Sequence, residues 1–141
     1  MNINKFNSER YSDPTAFEAL TRIEQEAKKT FFRPMVFISS PFAGDVACNI
    51  SKAQEYCRFA VSKGCIPIAP HLLFPQFMND ANQAQRDLAL FMGMVLMAKC
   101  AEVWVFGGYI SKGMAVELEK AKSRNMVIHY FSENCEEVQQ K

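Results

Sequence analysis

Glu102-Val103-Trp104-Val105-Phe106-Gly107-Gly108-Tyr109-Ile110-Ser111-Lys112-Gly113-Met114-Ala115-Val116-Glu117 is the stretch that decides the fold. It opens as an apolar run of strand character and passes through a glycine-bearing turn. It then enters a run of helix character over 114–124. Strand, turn and helix start in that order is where α/β proteins place ligand chemistry. Ser111 is of the type that caps a helix, and Gly113 lets a ligand approach the backbone. Unpaired N–H groups at a helix start favour an anion or a polar ligand. Glu117 follows about one and a half turns into the helix. A carboxylate in that place is a candidate nucleophile or base. The alternative is a solvated Glu117 paired with Lys120, its i+3 neighbour.

Working outward, the same alternation recurs. Residues 34–40 form a short apolar run that ends in Ser39 and Ser40, and Pro41-Phe42-Ala43-Gly44 reads as the loop after it. Residues 49–63 read as a helix closed by Gly64, with Asn49 as a cap or a ligand contact. Residues 65–70 read as a second strand, and Pro67 argues that this strand lies at an edge or begins late. Residues 71–82 read as an irregular aromatic loop, in which Asn79-Asp80 is a turn signal without chemistry. A long helix begins at Gln83 and reaches Lys99, and a last strand runs over 126–131. Before all of this, Asp13 and Pro14 mark the start of a further helix, with Ala16, Leu20, Ile23 and Ala27 on one face. The pattern predicts an α/β fold with a Rossmann-like parallel sheet of four to five strands, helices on both faces and an added N-terminal helix. The expected organisation is an extension and helix over 1–33, the α/β domain over 34–131, and a polar tail over 132–141.

Composition narrows the function classes. The chain has 141 residues, a net charge of +1 and scattered basic residues, so nothing points to nucleic acid. The five cysteines are odd in number and lack ligand spacing, which argues against zinc and against a disulfide framework. Met1-Asn2-Ile3-Asn4-Lys5 is polar rather than a secretory leader, so the expectation is a cytoplasmic chain with reduced thiols. The longest apolar run, over 88–98, is too short to span a bilayer. That run is apolar nearly all the way round, which predicts burial on all sides and a homo-oligomer built through this helix.

Other residues carry open alternatives. Asp87 near a helix start complements the dipole or serves as an acid, and Arg86 beside it is placed to bind phosphate. His71, just beyond a strand end, either touches a ligand or satisfies its own loop. Phe74, Phe77 and Tyr109 are an aromatic wall or core, and Trp104 reads as core.

Four segments together resemble a known group. They are Phe37-Ile38-Ser39-Ser40-Pro41-Phe42-Ala43-Gly44, Gly64-Cys65-Ile66-Pro67-Ile68-Ala69-Pro70-His71, Cys100-Ala101-Glu102-Val103-Trp104-Val105-Phe106-Gly107 and Ser111-Lys112-Gly113-Met114-Ala115-Val116-Glu117. They resemble a bacterial and phage family of unknown function, the DUF4406/DUF7768 group, over 34–131, and the leading Tyr11-Ser12-Asp13-Pro14-Thr15-Ala16 fits it too. That group is similar to the nucleoside 2-deoxyribosyltransferases and the deoxynucleoside 5′-monophosphate N-glycosidases. The resemblance implies an N-glycosidic enzyme, transferase or hydrolase, acting on a nucleoside or nucleotide without a cofactor. Glu117 would attack the sugar C1′. Ser111 and the amides at Gly113 and Met114 would hold a sugar hydroxyl or the 5′-phosphate. The loop of Ser39, Ser40, Pro41 and Gly44 would hold ribose or phosphate. Those enzymes carry an acid on the long helix about two turns before the third strand. Here that count falls on Met92 or Gly93, and Asp87 lies more than a turn earlier. A longer helix or a different tilt would be needed to bring Asp87 in. The transferases also carry an acid just after the third strand, where this chain has Gly107-Gly108. A non-catalytic nucleotide-binding or sensor module is the alternative.

Overall fold

The computed structural model describes residues 14–29 and 33–139. The chain falls into two compact units that divide between Arg33 and Pro34. In the first, α1 (Pro14–Lys29) starts at the expected proline. Its predicted cap Asp13 lies outside the described residues. Ile23, predicted on a buried face, is exposed.

The second unit is a mixed α/β layer structure. Its strands are β1 (Met35–Ser39), β2 (Ile66–Ile68), β3 (Glu102–Phe106), β4 (Val127–Phe131) and β5 (Glu137–Val138), in the spatial order β2-β1-β3-β4-β5. The pairings among the first four are parallel, and β5 runs antiparallel to β4. Between them lie α2 (Val46–Ser62), α3 (Pro70–Leu73), α4 (Gln83–Met97) and α5 (Lys112–Ser123). Successive strand residues face opposite sides, so β1 and β3 feed two cores. Val36, Ile38, Trp104 and Phe106 pack under Tyr56 and Ala60 of α2. Phe37, Val103 and Val105 pack under Met97 of α4 and Met114, Leu118 and Ala121 of α5. Strands buried on both faces must be apolar throughout, which is why these runs lack alternation. Trp104 is core, as expected.

This layering fixes where a ligand can go. The chain leaves β1 over one face through α2 toward β2, and leaves β3 over the other face through α5 toward β4. The two connections diverge at the carboxyl ends of adjacent β1 and β3, and that divergence opens a crevice there. Pro67 sits in the edge strand β2, as expected, because proline cannot donate to a ladder.

Four expectations are corrected. Asn49 is not a cap: α2 starts earlier, and Asp45 caps it by accepting from the Cys48 N–H at 3.2 Å. Asn49 lies inside the helix and donates to the carbonyls of Phe42 (3.1 Å) and Ala43 (3.0 Å). Residues 71–82 are not wholly irregular, since Pro70 starts α3 and a 3-10 turn follows at Phe74–Gln76. The tail is not only a tail, because it turns at Ser132 and pairs back as β5. Finally, α4 is not buried on all sides: Leu88, Phe91 and Val95 are 50%, 64% and 46% exposed.

No helix among the described residues is long and apolar enough to cross a membrane. No cluster of His, Cys, Asp or Glu among them is placed to hold a metal ion.

Candidate functional site

A cleft of about 280 Å³ opens at the crevice, lined in part by Phe42, His71, Phe74, Arg86, Ser111 and Glu117. Its walls come from the loop after β1, from α3 and its 3-10 turn, from the first half of α4, and from the start of α5.

Glu117 is the most unusual group in it. The second turn of α5 directs its side chain into the cleft. Oε2 is buried and has no hydrogen-bond partner, and no ion pair to Lys120 forms among the described residues. Burial disfavours the charged form and pushes the carboxyl up to about 7, against a smaller opposing influence from the nearby Ser39 hydroxyl. Ser39, at the end of β1, is fully buried, and its Oγ makes no hydrogen bond of ordinary geometry. Two unsatisfied polar groups side by side are costly unless something else engages them. The solvated reading of Glu117 is thereby excluded.

His71 stands at the start of α3, which Pro70 initiates at its first position. Its Nε2 lies 2.9 Å from Ser40 Oγ. Burial pushes the imidazole down to about 4, so it is neutral at physiological pH and resists protonation. Phe42 meets the ring edge-on at 6.5 Å between centroids.

The start of α5 forms a third wall. Ser111 caps the helix, its Oγ accepting from the Met114 N–H at 3.3 Å. The Met114 sulfur accepts from the Ser111 N–H at 3.5 Å, and its side chain is buried in the core rather than in the cleft. This leaves the amides of Lys112 and Gly113, the first two of the helix, without an intrahelical partner. A Cβ built on Gly113 would meet nothing within 4 Å. Gly113 is also one of the residues that line the cleft.

The remaining expected residues divide. Arg86 lines the cleft, but Asp87 does not. Asp87 is exposed and accepts from Gln83 Nε2 at 2.8 Å along its own helix. Neighbouring helix residues are turned by about 100°, so Arg86 and Asp87 cannot share one direction. Ser40 reaches the cleft through His71. Pro41 is buried against Gly107, whose built Cβ would lie 3.6 Å from Pro41 Cδ. Gly44, at φ 99°, supplies the left-handed turn before Asp45 and lies outside the lining. Of the aromatic residues, Phe74 lines the cleft, whereas Phe77 and Tyr109 are exposed outside it.

The sequence reading missed Asp80, Lys112 and Gly93. Asp80 reaches the rim from a segment read as a plain turn. Lys112 was passed over inside the motif, although its place at a helix start was a signal for a cation near an anion site. Gly93 lines the floor of the cleft, where a built Cβ would touch Pro70 at 3.6 Å.

Residues 34–131 match the family model described as Domain of unknown function (DUF7768). No curated protein matches the chain.

Proposed function

The chain belongs to the DUF7768 family, whose function must be read from its own cleft, and we propose that this cleft is an N-glycosidic site acting on a nucleoside or nucleotide. The observation that carries the reading is Glu117, a carboxyl that lines the cleft and carries a buried oxygen without a hydrogen-bond partner. Once ionised, such a group can attack C1′ of a sugar and trap the oxocarbenium-like centre as an ester. Water would release the sugar in a hydrolase, and a second base would do so in a transferase. The resemblance of Ser111-Lys112-Gly113-Met114-Ala115-Val116-Glu117 to the motif of the nucleoside 2-deoxyribosyltransferases and the 5′-monophosphate N-glycosidases supports the same assignment. So does the sheet order, which suits a Rossmann-like reading of the fold.

In this proposal Arg86, Lys112 and the free amides at the start of α5 hold a 5′-phosphate or another polar group. Ser39 and the Ser40–His71 pair face the sugar side, next to the nucleophile. The exposed apolar stripe of α4 is the contact of a homo-oligomer.

A second reading is favoured by one observation. Among the described residues no buried acid stands across from Glu117, because Asp87 lies outside the lining. The site would then bind nucleotides without turning them over. A chromatographic assay separates the two. Wild type and Glu117→Ala are incubated with deoxynucleosides and their 5′-monophosphates, with and without an acceptor base. Base release or exchange that disappears in Glu117→Ala is expected. Binding without turnover would instead establish the second reading.

A further inference from the structure

The leaving-group side of the cleft has a chemical peculiarity. An uncharged base departs as an anion unless an acid protonates it, and a positioned acid contributes about 10²–10⁴-fold to such a step. Among the described residues, five that line the cleft carry ionisable side chains: His71, Asp80, Arg86, Lys112 and Glu117. Glu117 must be ionised to attack, so it cannot also bring the proton. His71 is neutral and held at Nε2 by Ser40. Arg86 is a fixed cation that cannot release a proton, and Lys112 is exposed at the start of α5, on the anion-binding side. Asp80 is exposed at the rim. The interior wall consists instead of Phe37, Phe42, Phe74, Leu90 and Gly93.

We infer that the substrates of this site are N-glycosides of a ring that is already cationic at the glycosidic nitrogen, such as a pyridinium or an N7-alkylated purine. This rests on the N-glycosidic reading of Glu117 and names its substrate class. Such a ring leaves without a proton. A Glu117 carboxylate oxygen bonds to C1′ while the C1′–N⁺ bond breaks. The bonding pair passes to the ring nitrogen, and the ring departs neutral. Water then attacks C1′ and displaces the carboxylate, giving the free sugar and one proton to solvent. The aromatic lining suits a flat cation, since ring faces attract positive charge. Arg86 and Lys112 would repel a bare cation, so a 5′-phosphate that engages them completes the match. The preferred substrate is then a zwitterionic mononucleotide.

The test compares nicotinamide mononucleotide with AMP, CMP, dAMP and dCMP as substrates of the full chain, reading free base by chromatography. The expected result is a kcat/KM at least about 100-fold higher for nicotinamide mononucleotide, the rough value of the missing acid. That turnover should be lost in both Glu117→Ala and Glu117→Gln, with retained cooperative melting showing that the variants fold. AMP or dAMP cleaved as fast as nicotinamide mononucleotide, with Glu117 still required, would overturn the inference and leave the N-glycosidic reading standing. If that cleavage also failed in Asp80→Asn, the rim carboxylate would be the missing acid. No turnover of nicotinamide mononucleotide would overturn the inference, and the N-glycosidic reading falls with it only if the deoxynucleosides and the other monophosphates also fail with and without an acceptor base.

Discussion

A buried carboxyl that titrates near neutrality links stability to activity at a single residue. Glu117 holds its proton up to about pH 7 in the folded chain, whereas an ordinary glutamate loses it near 4.5. The folded state therefore binds more protons across that window, and stability falls as pH rises through it. Above about 7 the ionised carboxylate carries its full cost, on the order of 3 kcal/mol as an upper bound. Glu117→Gln removes that cost. The variant should melt several degrees above wild type at pH 8, and the gap should close toward pH 5. Equal melting temperatures at both values would mean that Glu117 is solvated and that the cleft is misread. His71 works in the opposite sense. Its folded value of about 4 lies below the ordinary 6.5, so it costs stability as pH falls through that range. The comparison with Glu117→Gln cancels the His71 contribution because both proteins carry it. Turnover by wild type should rise through about pH 7, because only the ionised Glu117 is nucleophilic. The sequence made Glu117 visible as a candidate through its distance from Ser111, but Lys120 at i+3 suggested solvent just as well. Burial settles that choice, and burial depends on β1 and α4, which are far away in the chain. Asp87 and Asp80 show the same limit. Their relative merit depends on the rotation of α4, which is set by the Asn82 cap and by the packing of Pro70 on Gly93.

Among the elements, those with a strong local cause were legible. The central strands β1 and β3 are buried on both faces and read as unbroken apolar runs. The start of α5 was marked by a serine that does cap it. By contrast, β5 is two exposed residues, Glu137 and Val138, with no period to detect. It exists because Cys135, at φ 61°, lets the chain turn back onto β4. The first turn of α2 was missed because Asn49 looks like a cap and Asp45 looks like loop. The actual role of Asn49 yields a prediction with a sign. Its amide donates to two carbonyls of the loop that carries Phe42 and Ala43 to the cleft. Asn49→Ala should lower stability by about 1 kcal/mol, the usual worth of such bonds. Asn49→Asp should cost more than alanine, because a carboxylate would then face two carbonyl oxygens. Urea unfolding of both variants tests this, and an aspartate variant as stable as wild type would remove Asn49 from the support of the loop.

For the whole molecule, the question is what the apolar side of α4 meets, since within the second unit Leu88, Phe91 and Val95 are exposed. Leu88, Phe91 and Val95 recur along α4 at spacings that keep them on one side, and Val116 of α5 is also exposed beside them. A groove lined by Phe91, Met94, Val95, Val116 and Lys120 runs between the two helices. Isolated surface leucines need no explanation, but a contiguous apolar strip of this kind is costly in water. Under the proposal of a homo-oligomer, a second copy of the same strip covers it, since a two-fold contact is self-complementary. Glu119 and Lys120 flank the groove with opposite charges, so a two-fold pairing can match each with the other across the contact. Wild type should then elute above the 16.0 kDa of one chain in size exclusion with light scattering. Phe91→Glu with Val95→Glu should give a folded monomer, because two carboxylates cannot be buried against apolar neighbours without partners. The two substituted positions lie outside the lining of the Glu117 cleft. Turnover by the monomer therefore asks a separate question. If base release survives monomerisation, one chain holds the whole site. If it is lost while ligand still binds, the second copy completes the site. A wild type that elutes as a 16.0 kDa monomer would instead leave the strip to some other partner.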